Sequence, residues 1–289
     1  MFEQFSLSTI DLGGVTLRVR HGGDGPPLLL LHGHPQTHLM WHKIAPLLAR
    51  DFTVIAPDLR GYGQSSKPAN TPDHSAYSKR TMAQDAIALM QHFGWETFSV
   101  AGHDRGGRVA YRLALDHPER VRKLAVLDIV PTYEAYRRAN MEFGIGYWHW
   151  FFLAQPAPFP EQVIQSDPEA FYFRQTRQAR DQFAPEALAD YLAALHDPET
   201  IRAICEDYRA GATIDYALDE ADFGVRKITA PLLALWGGNG PLQRWYDVLA
   251  IWRDWATDVH GRALPCNHYL AEEAPDETYA ELREFFIGA

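Results

Sequence analysis

Short apolar runs bounded by turn residues punctuate this chain, at residues 27–31 (Pro-Leu-Leu-Leu-Leu), 53–56, 98–101, 123–127 and 231–236. A short uninterrupted run of this kind reads as a strand buried on both faces, the state found in parallel sheets. Residues 16–20 (Thr-Leu-Arg-Val-Arg) alternate instead, as a half-buried strand does, and the Gly22-Gly23-Asp24-Gly25-Pro26 cluster ends them in a turn. Between the runs, helical periodicity predicts helices over 40–49, 80–93 and 108–117. Strands alternating with helices imply an open, mostly parallel α/β sheet, with its site at the carboxyl ends of the strands.

The rhythm breaks between Pro131 and Asp222, where no buried-strand run occurs and aromatics, prolines and helical patterns dominate. It resumes at Ile228. The economical division is a first core part over 1–130, an inserted helical cap over 131–222 and a second core part over 223–289. Within the cap, Tyr147-Trp148-His149-Trp150-Phe151-Phe152 is the densest aromatic stretch. Trp148, Phe151 and Phe152 are expected to serve core packing, the usual task of aromatics at helical spacing.

The length, 289 residues, suits one large domain with a lid or two modest domains. A formal net charge of −10 argues against nucleic acid as a partner, and an anionic substrate would need concentrated local positive charge to overcome it. Residues 1–5 lack a basic region followed by an apolar stretch, and no apolar run approaches the ~18 residues of a membrane span, so a cytoplasmic location without membrane contact is expected. Two cysteines, Cys205 and Cys266, read as reduced thiols rather than a disulfide framework.

The chemistry concentrates in Val100-Ala101-Gly102-His103-Asp104-Arg105-Gly106-Gly107-Arg108. Small residues on both sides of Asp104 suit a sharp strand-to-helix turn that carries a nucleophile. Aspartate also caps helices, but the glycine spacing and the matching residues downstream favour a nucleophile. A carboxylate is ionised at pH 7 and attacks saturated carbon without a base, giving an alkyl ester.

Hydrolysis of that ester calls for a histidine and an acid to orient it. His268, in Leu264-Pro265-Cys266-Asn267-His268-Tyr269-Leu270, follows the last strand and fits the chain order of nucleophile, acid, histidine. The loop after 231–236 contains Asn239 and no carboxylate, which leaves Asp128, after the 123–127 run, as the acid. The backbone N–H groups of His34 and Arg105 are placed to form an oxyanion hole. His32, His34, His38 and His42 include helical spacings able to chelate metal, yet no carboxylate cluster or cysteine accompanies them, so neither metal nor cofactor is expected. Arg105 and Arg108 lie within one turn of the nucleophile. Guanidinium groups bind carboxylates bidentately, which suggests a small acid whose reacting carbon adjoins its carboxylate.

With these residues placed, the chain resembles the haloacetate (fluoroacetate) dehalogenases of the α/β-hydrolase superfamily. The resemblance rests on His32 to His42, Gly102 to Arg108, Val126 to Tyr133, Tyr147 to Trp150, Cys205 to Ala210 and Asn267 to Pro275. It implies an α/β-hydrolase fold in which Arg105 and Arg108 hold the carboxylate of a 2-haloacid while Asp104 displaces halide. It also implies that His149, Trp150 and Tyr208 hydrogen-bond the departing halide, that His268 and Asp128 then activate water, and that the protein is a homodimer. His34 and Asn267 depart from the pattern, standing where phenylalanine and glycine are expected. An epoxide hydrolase, with two cap tyrosines as acids, and a non-catalytic receptor for a small acid are the alternatives.

Overall fold

A computed structural model describes residues 1–173 and 182–288. One eight-stranded sheet runs through it in the order β1-β2-β4-β3-β5-β6-β7-β8. Its strands are β1 (Ser6–Asp11), β2 (Thr16–Gly22), β3 (Pro27–Leu31), β4 (Thr53–Pro57), β5 (Phe98–His103), β6 (Val121–Leu127), β7 (Leu232–Gly237) and β8 (Val259–Leu264). The pairs β1·β2 and β2·β4 are antiparallel; all others are parallel. Leu28, Leu29 and Leu30 of β3 and Val100 and Ala101 of β5 are fully buried, which is why these strands appear as continuous apolar runs.

Helix α1 (Lys79–His92) packs against α2 (Asp104–Asp116), and α2 packs on β3, β5 and β6. Ser78 opens α1, its side chain accepting from Thr81 N–H. The helix expected over 40–49 is instead a 3-10 turn, His38–Trp41, and a separate short helix, Ala45–Leu48. Pro46 has no N–H to offer the carbonyl one turn earlier, so the two pieces cannot fuse. Helix α2 also starts a turn before the expected residue 108, because Gly106-Gly107 are poor helix formers that tertiary packing overrides.

Between β6 and β7 the described residues form helices only: α3 (Thr132–Arg137), α4 (Met141–Gly146), α5 (Trp148–Leu153), α6 (Phe159–Ser166), α7 (Pro168–Phe173), α8 (Pro185–Leu195), α9 (Pro198–Ala212) and α10 (Ile214–Asp222). Beyond them lie the longer helices α11 (Val248–Trp255) and α12 (Pro275–Ile287) and two short ones, Pro241–Trp245 and Leu270–Glu273. Ion pairs tie the helical segment to the core. Buried Arg112 on α2 bonds Asp219 at 2.7 Å and Asp222 at 2.6 Å, and half-buried Arg18 on β2 bonds Asp190 at 2.9 Å. Removing one partner of a buried pair such as that of Arg112 typically costs ~3–5 kcal/mol. Phe151, expected in the core, is 41% exposed, and Trp148 lines a cavity rather than filling one. Cys205 and Cys266 are buried free thiols. No described helix is long and apolar enough to cross a membrane.

Candidate active site

Strand β5 delivers the nucleophile candidate through a constrained turn. Asp104 takes φ of +44°, a left-handed conformation that non-glycine residues rarely adopt, and is the first residue of α2. The turn closes only because its neighbours are small. A Cβ on Gly102 would stand 2.4 Å from the Gly106 carbonyl oxygen, and one on Gly106 would stand 2.4 Å from that of His32. One Asp104 oxygen accepts from the His34 backbone N–H at 3.1 Å, and the Arg105 N–H belongs to the first helical turn, whose N–H groups lack intrahelical partners. Burial alone would raise the Asp104 pKa, but the positive charges of His268, Arg108 and Arg105 hold it well below the usual carboxylate range.

The acid and base candidates meet across two strand ends. His268 Nδ1 donates to Asp128 Oδ2 at 2.6 Å, while Asp128 Oδ1 accepts from the Gly237 N–H at 2.9 Å. Asp128, like Asp104, has positive φ, +53°. Burial pulls the His268 pKa down, but the hydrogen bond and charge of Asp128, together with Asp104, raise it above the ordinary histidine value. Asn239 spends its backbone N–H on the Cys266 carbonyl at 3.0 Å, while Asp128 is the carboxylate on His268.

Supports that sequence reasoning missed hold the His268 loop. His103 Nε2 donates to the His268 carbonyl at 2.7 Å, with the two rings 4.6 Å apart. Glu273 accepts from the backbone N–H groups of Asn267 and Tyr269 at 2.7 and 2.9 Å. Asn267, where glycine was expected, adds a side-chain donation to the same carboxylate at 3.1 Å.

A cavity of about 610 Å3 opens over these groups, with Asp104, Arg108, His149, Trp150, Tyr208 and His268 in its wall. Arg108 donates to the Val130 carbonyl and Thr132 Oγ1, both at 3.1 Å, and its guanidinium lies 4.5 Å from the Trp150 ring centre. Its buried Nε has no partner among the described residues. The Trp150 indole also stacks on Tyr147 at 6.0 Å and 14°, so its orientation is fixed from two sides. The His149 ring lies 6.1 Å from that of Tyr208, and burial lowers its pKa to about 4, leaving a neutral imidazole. Burial raises the Tyr208 pKa well above the ordinary value, so its hydroxyl stays a donor.

Arg105 behaves differently from Arg108. Its Nε and Nη2 bond the Asp207 carboxylate at 2.8 and 2.9 Å, its guanidinium lies 4.2 Å from the Tyr208 ring centre, and it is absent from the cavity wall. Lys79 Nζ and Tyr62 Oη share that carboxylate, the hydroxyl at 2.7 Å.

Three histidines of the 32–42 segment, His32, His38 and His42, serve local structure. His38 donates to Asp58 at 2.7 Å, His32 Nε2 accepts from the Leu59 N–H at 2.9 Å, and His42 Nδ1 donates to the Leu39 carbonyl at 2.8 Å. Among the described residues no group of three or more metal-ligating side chains is placed to hold an ion.

The architecture agrees with the comparisons to known proteins. A fluoroacetate dehalogenase from Burkholderia sp is 46% identical over 293 residues, covering 100% of this chain and 96% of the relative. A soluble epoxide hydrolase from Corynebacterium sp. (strain C12) is 33% identical over 95% of each chain. A crystal structure from Nostoc sp PCC 7120, classed with the alpha/beta hydrolases, superposes with a TM-score of 0.97 at 53% identity over 100% of both chains. The family described as the alpha/beta hydrolase fold matches residues 26–275. This chain therefore belongs to the alpha/beta hydrolases, where it is similar over its whole length to a fluoroacetate dehalogenase.

Proposed function

We propose that this protein hydrolyses the carbon–halogen bond of haloacetates such as fluoroacetate and chloroacetate through an ester of Asp104. The observation that carries this reading is a single cavity wall holding the anionic Asp104, the cation Arg108 and the donors His149, Trp150 and Tyr208. The full-length similarity to a fluoroacetate dehalogenase supports it.

In this mechanism Arg108 binds the substrate carboxylate and Arg105 supports it from beneath Tyr208. An Asp104 oxygen forms a bond to C2 as the carbon–halogen bond breaks, and the electron pair leaves on the halide. His149, Trp150 and Tyr208 donate to that halide; fluoride, a poor and strongly hydrated leaving group, needs them most. Water then attacks the ester carbonyl, giving its proton to His268, and the His34 and Arg105 N–H groups stabilise the oxyanion, an effect worth ~3 kcal/mol for a single donor. Collapse releases glycolate and restores Asp104. The sum is haloacetate plus water giving glycolate, halide and a proton.

Esterification also adjusts the base. Once Asp104 is a neutral ester it no longer raises the His268 pKa, so the imidazole gives up its proton more readily at the step that needs a base. The helices described between β6 and β7 act as a cap that excludes bulk water during halide departure.

A second reading, epoxide hydrolysis, is favoured by Tyr147, Tyr172 and Tyr208 in the same cavity wall, which could protonate an epoxide oxygen. It gives Arg108 no partner. A halide-release assay across fluoroacetate, chloroacetate and 2-fluoropropionate, run beside diol formation from styrene oxide, decides between them. Halide from the acids is expected; diol without halide would establish the epoxide reading, and neither product would leave only a small-acid binder.

A further inference from the structure

His34 places an imidazole in an aromatic part of the cavity wall. Its ring meets Tyr172 at 5.1 Å and Tyr208 at 5.6 Å, both edge-on. The residue is 8% exposed, and its buried Nδ1 has no hydrogen-bond partner among the described residues. A phenylalanine would pack in this place and leave no polar atom unpaired. An unpaired buried nitrogen is unfavourable and calls for a partner that the protein itself does not supply.

The position of the residue restricts that partner. The His34 backbone is pinned to the nucleophile through its N–H bond to Asp104 at 3.1 Å. In-line displacement sends the halide away from Asp104, and Arg108 takes the carboxylate. A branched acid keeps a hydrogen and one further substituent on the attacked carbon, and the imidazole, in the cavity wall beside the nucleophile, is a polar side chain available to that substituent. Burial lowers its pKa to about 3 despite the nearby Asp104, so the ring is neutral and offers one N–H and one lone pair. A hydroxyl, itself both donor and acceptor, can pair with the ring nitrogen that faces it in either tautomer; an anion can use only the N–H. The volume of about 610 Å3 lies in the range of cavities for drug-sized ligands, several times what a two-carbon acid fills.

We propose that His34 is a specificity-determining residue whose imidazole receives a hydroxyl on the 2-substituent of a branched 2-haloacid, such as 2-chloro-3-hydroxypropanoate. This rests on the haloacid reading above. Asp104 displaces chloride from C2, and hydrolysis of the ester gives 2,3-dihydroxypropanoate, chloride and a proton.

The test compares kcat/KM for 2-chloro-3-hydroxypropanoate and for 2-chlorobutanoate, which replaces the hydroxyl by a methyl, in the native protein, His34→Phe and His34→Gln, with chloroacetate alongside. The ratio of the two constants cancels any loss common to both acids. The native protein is expected to favour the hydroxy acid by about tenfold, the effect of one neutral hydrogen bond. His34→Phe should bring the ratio to one or below, and His34→Gln, which keeps a donor and an acceptor, should retain part of it. A native ratio near one, or the same ratio in native protein and His34→Phe, overturns the assignment while chloroacetate turnover upholds the haloacid reading. Absence of chloride from all three acids in the native protein overturns both.

Discussion

Arg105 donates through Nε and Nη2 to the two carboxylate oxygens of Asp207, and Nη2 also reaches the Asp207 carbonyl at 2.7 Å. The arginine next to the nucleophile is thus aimed by a residue of α9, on the other side of the cavity. Lys79 shares the same carboxylate, so Asp207 is the anion that lets two buried cations coexist.

Asp207→Asn should therefore weaken substrate binding indirectly, through the charge of Arg105 behind the cavity wall, rather than the chemical step itself. We expect KM for haloacetates to rise about tenfold or more with a smaller change in kcat, accompanied by a stability loss of ~3–5 kcal/mol from the unbalanced charges. Steady-state kinetics and urea unfolding measure the two effects separately. An unchanged KM in a destabilised variant would reduce Asp207 to a purely structural tie.

Covalent catalysis through Asp104 has an isotopic signature. In a single turnover in heavy-oxygen water the label should enter the Asp104 carboxylate and not the first glycolate, because glycolate keeps the original aspartate oxygen. Label in the first product would mean direct attack by water. Asp104→Ala should be inactive.

The two half-reactions should also differ in pH response. Asp104 is held anionic by the neighbouring cations, so alkylation should be insensitive to pH across the neutral range. Ester hydrolysis needs neutral His268, whose pKa the hydrogen bond and charge of Asp128 raise, so this step should begin to slow at a higher pH than that at which a free histidine takes up its proton. Rapid-quench mass spectrometry on chloroacetate should show the carboxymethyl adduct accumulating on the acid side, and His268→Asn should trap it at every pH. Equal pH dependence of both steps, or a His268→Asn variant that turns over without adduct, would remove His268 as the base.

Local rules made β3, β4, β5, β6 and β7 legible, because the stretches buried on both faces are almost wholly apolar. They did not reveal β1, a largely exposed edge strand, or β8, where exposed and half-buried residues alternate. Asp104 was readable from its glycines, and Asp128 from the lack of a carboxylate near Asn239. Asp207 was not. No spacing links it to Arg105, Lys79 and Tyr62, and its significance exists only once three distant segments converge on one carboxylate. Phe151 was misjudged because helical spacing of aromatics does not say which face meets solvent.

Fluoride and chloride separate the donors from the carboxylate clamp. Chloride departs without strong hydrogen bonding, so Trp150→Phe should impair fluoroacetate more than chloroacetate if the indole N–H holds the leaving halide. Arg108 faces the carboxylate that both acids share, so Arg108→Ala should weaken both alike, by ~2–3 kcal/mol or roughly thirtyfold to hundredfold in kcat/KM for one buried charge-assisted contact. Arg108 also packs on the Trp150 ring at 4.5 Å, so the two substitutions are coupled and the double variant should lose less than the sum of the singles. Specificity constants for both acids across the two single variants and the double complete the test. Equal losses for the two halides in Trp150→Phe would remove the indole from the halide site and leave its packing on Arg108 as its role.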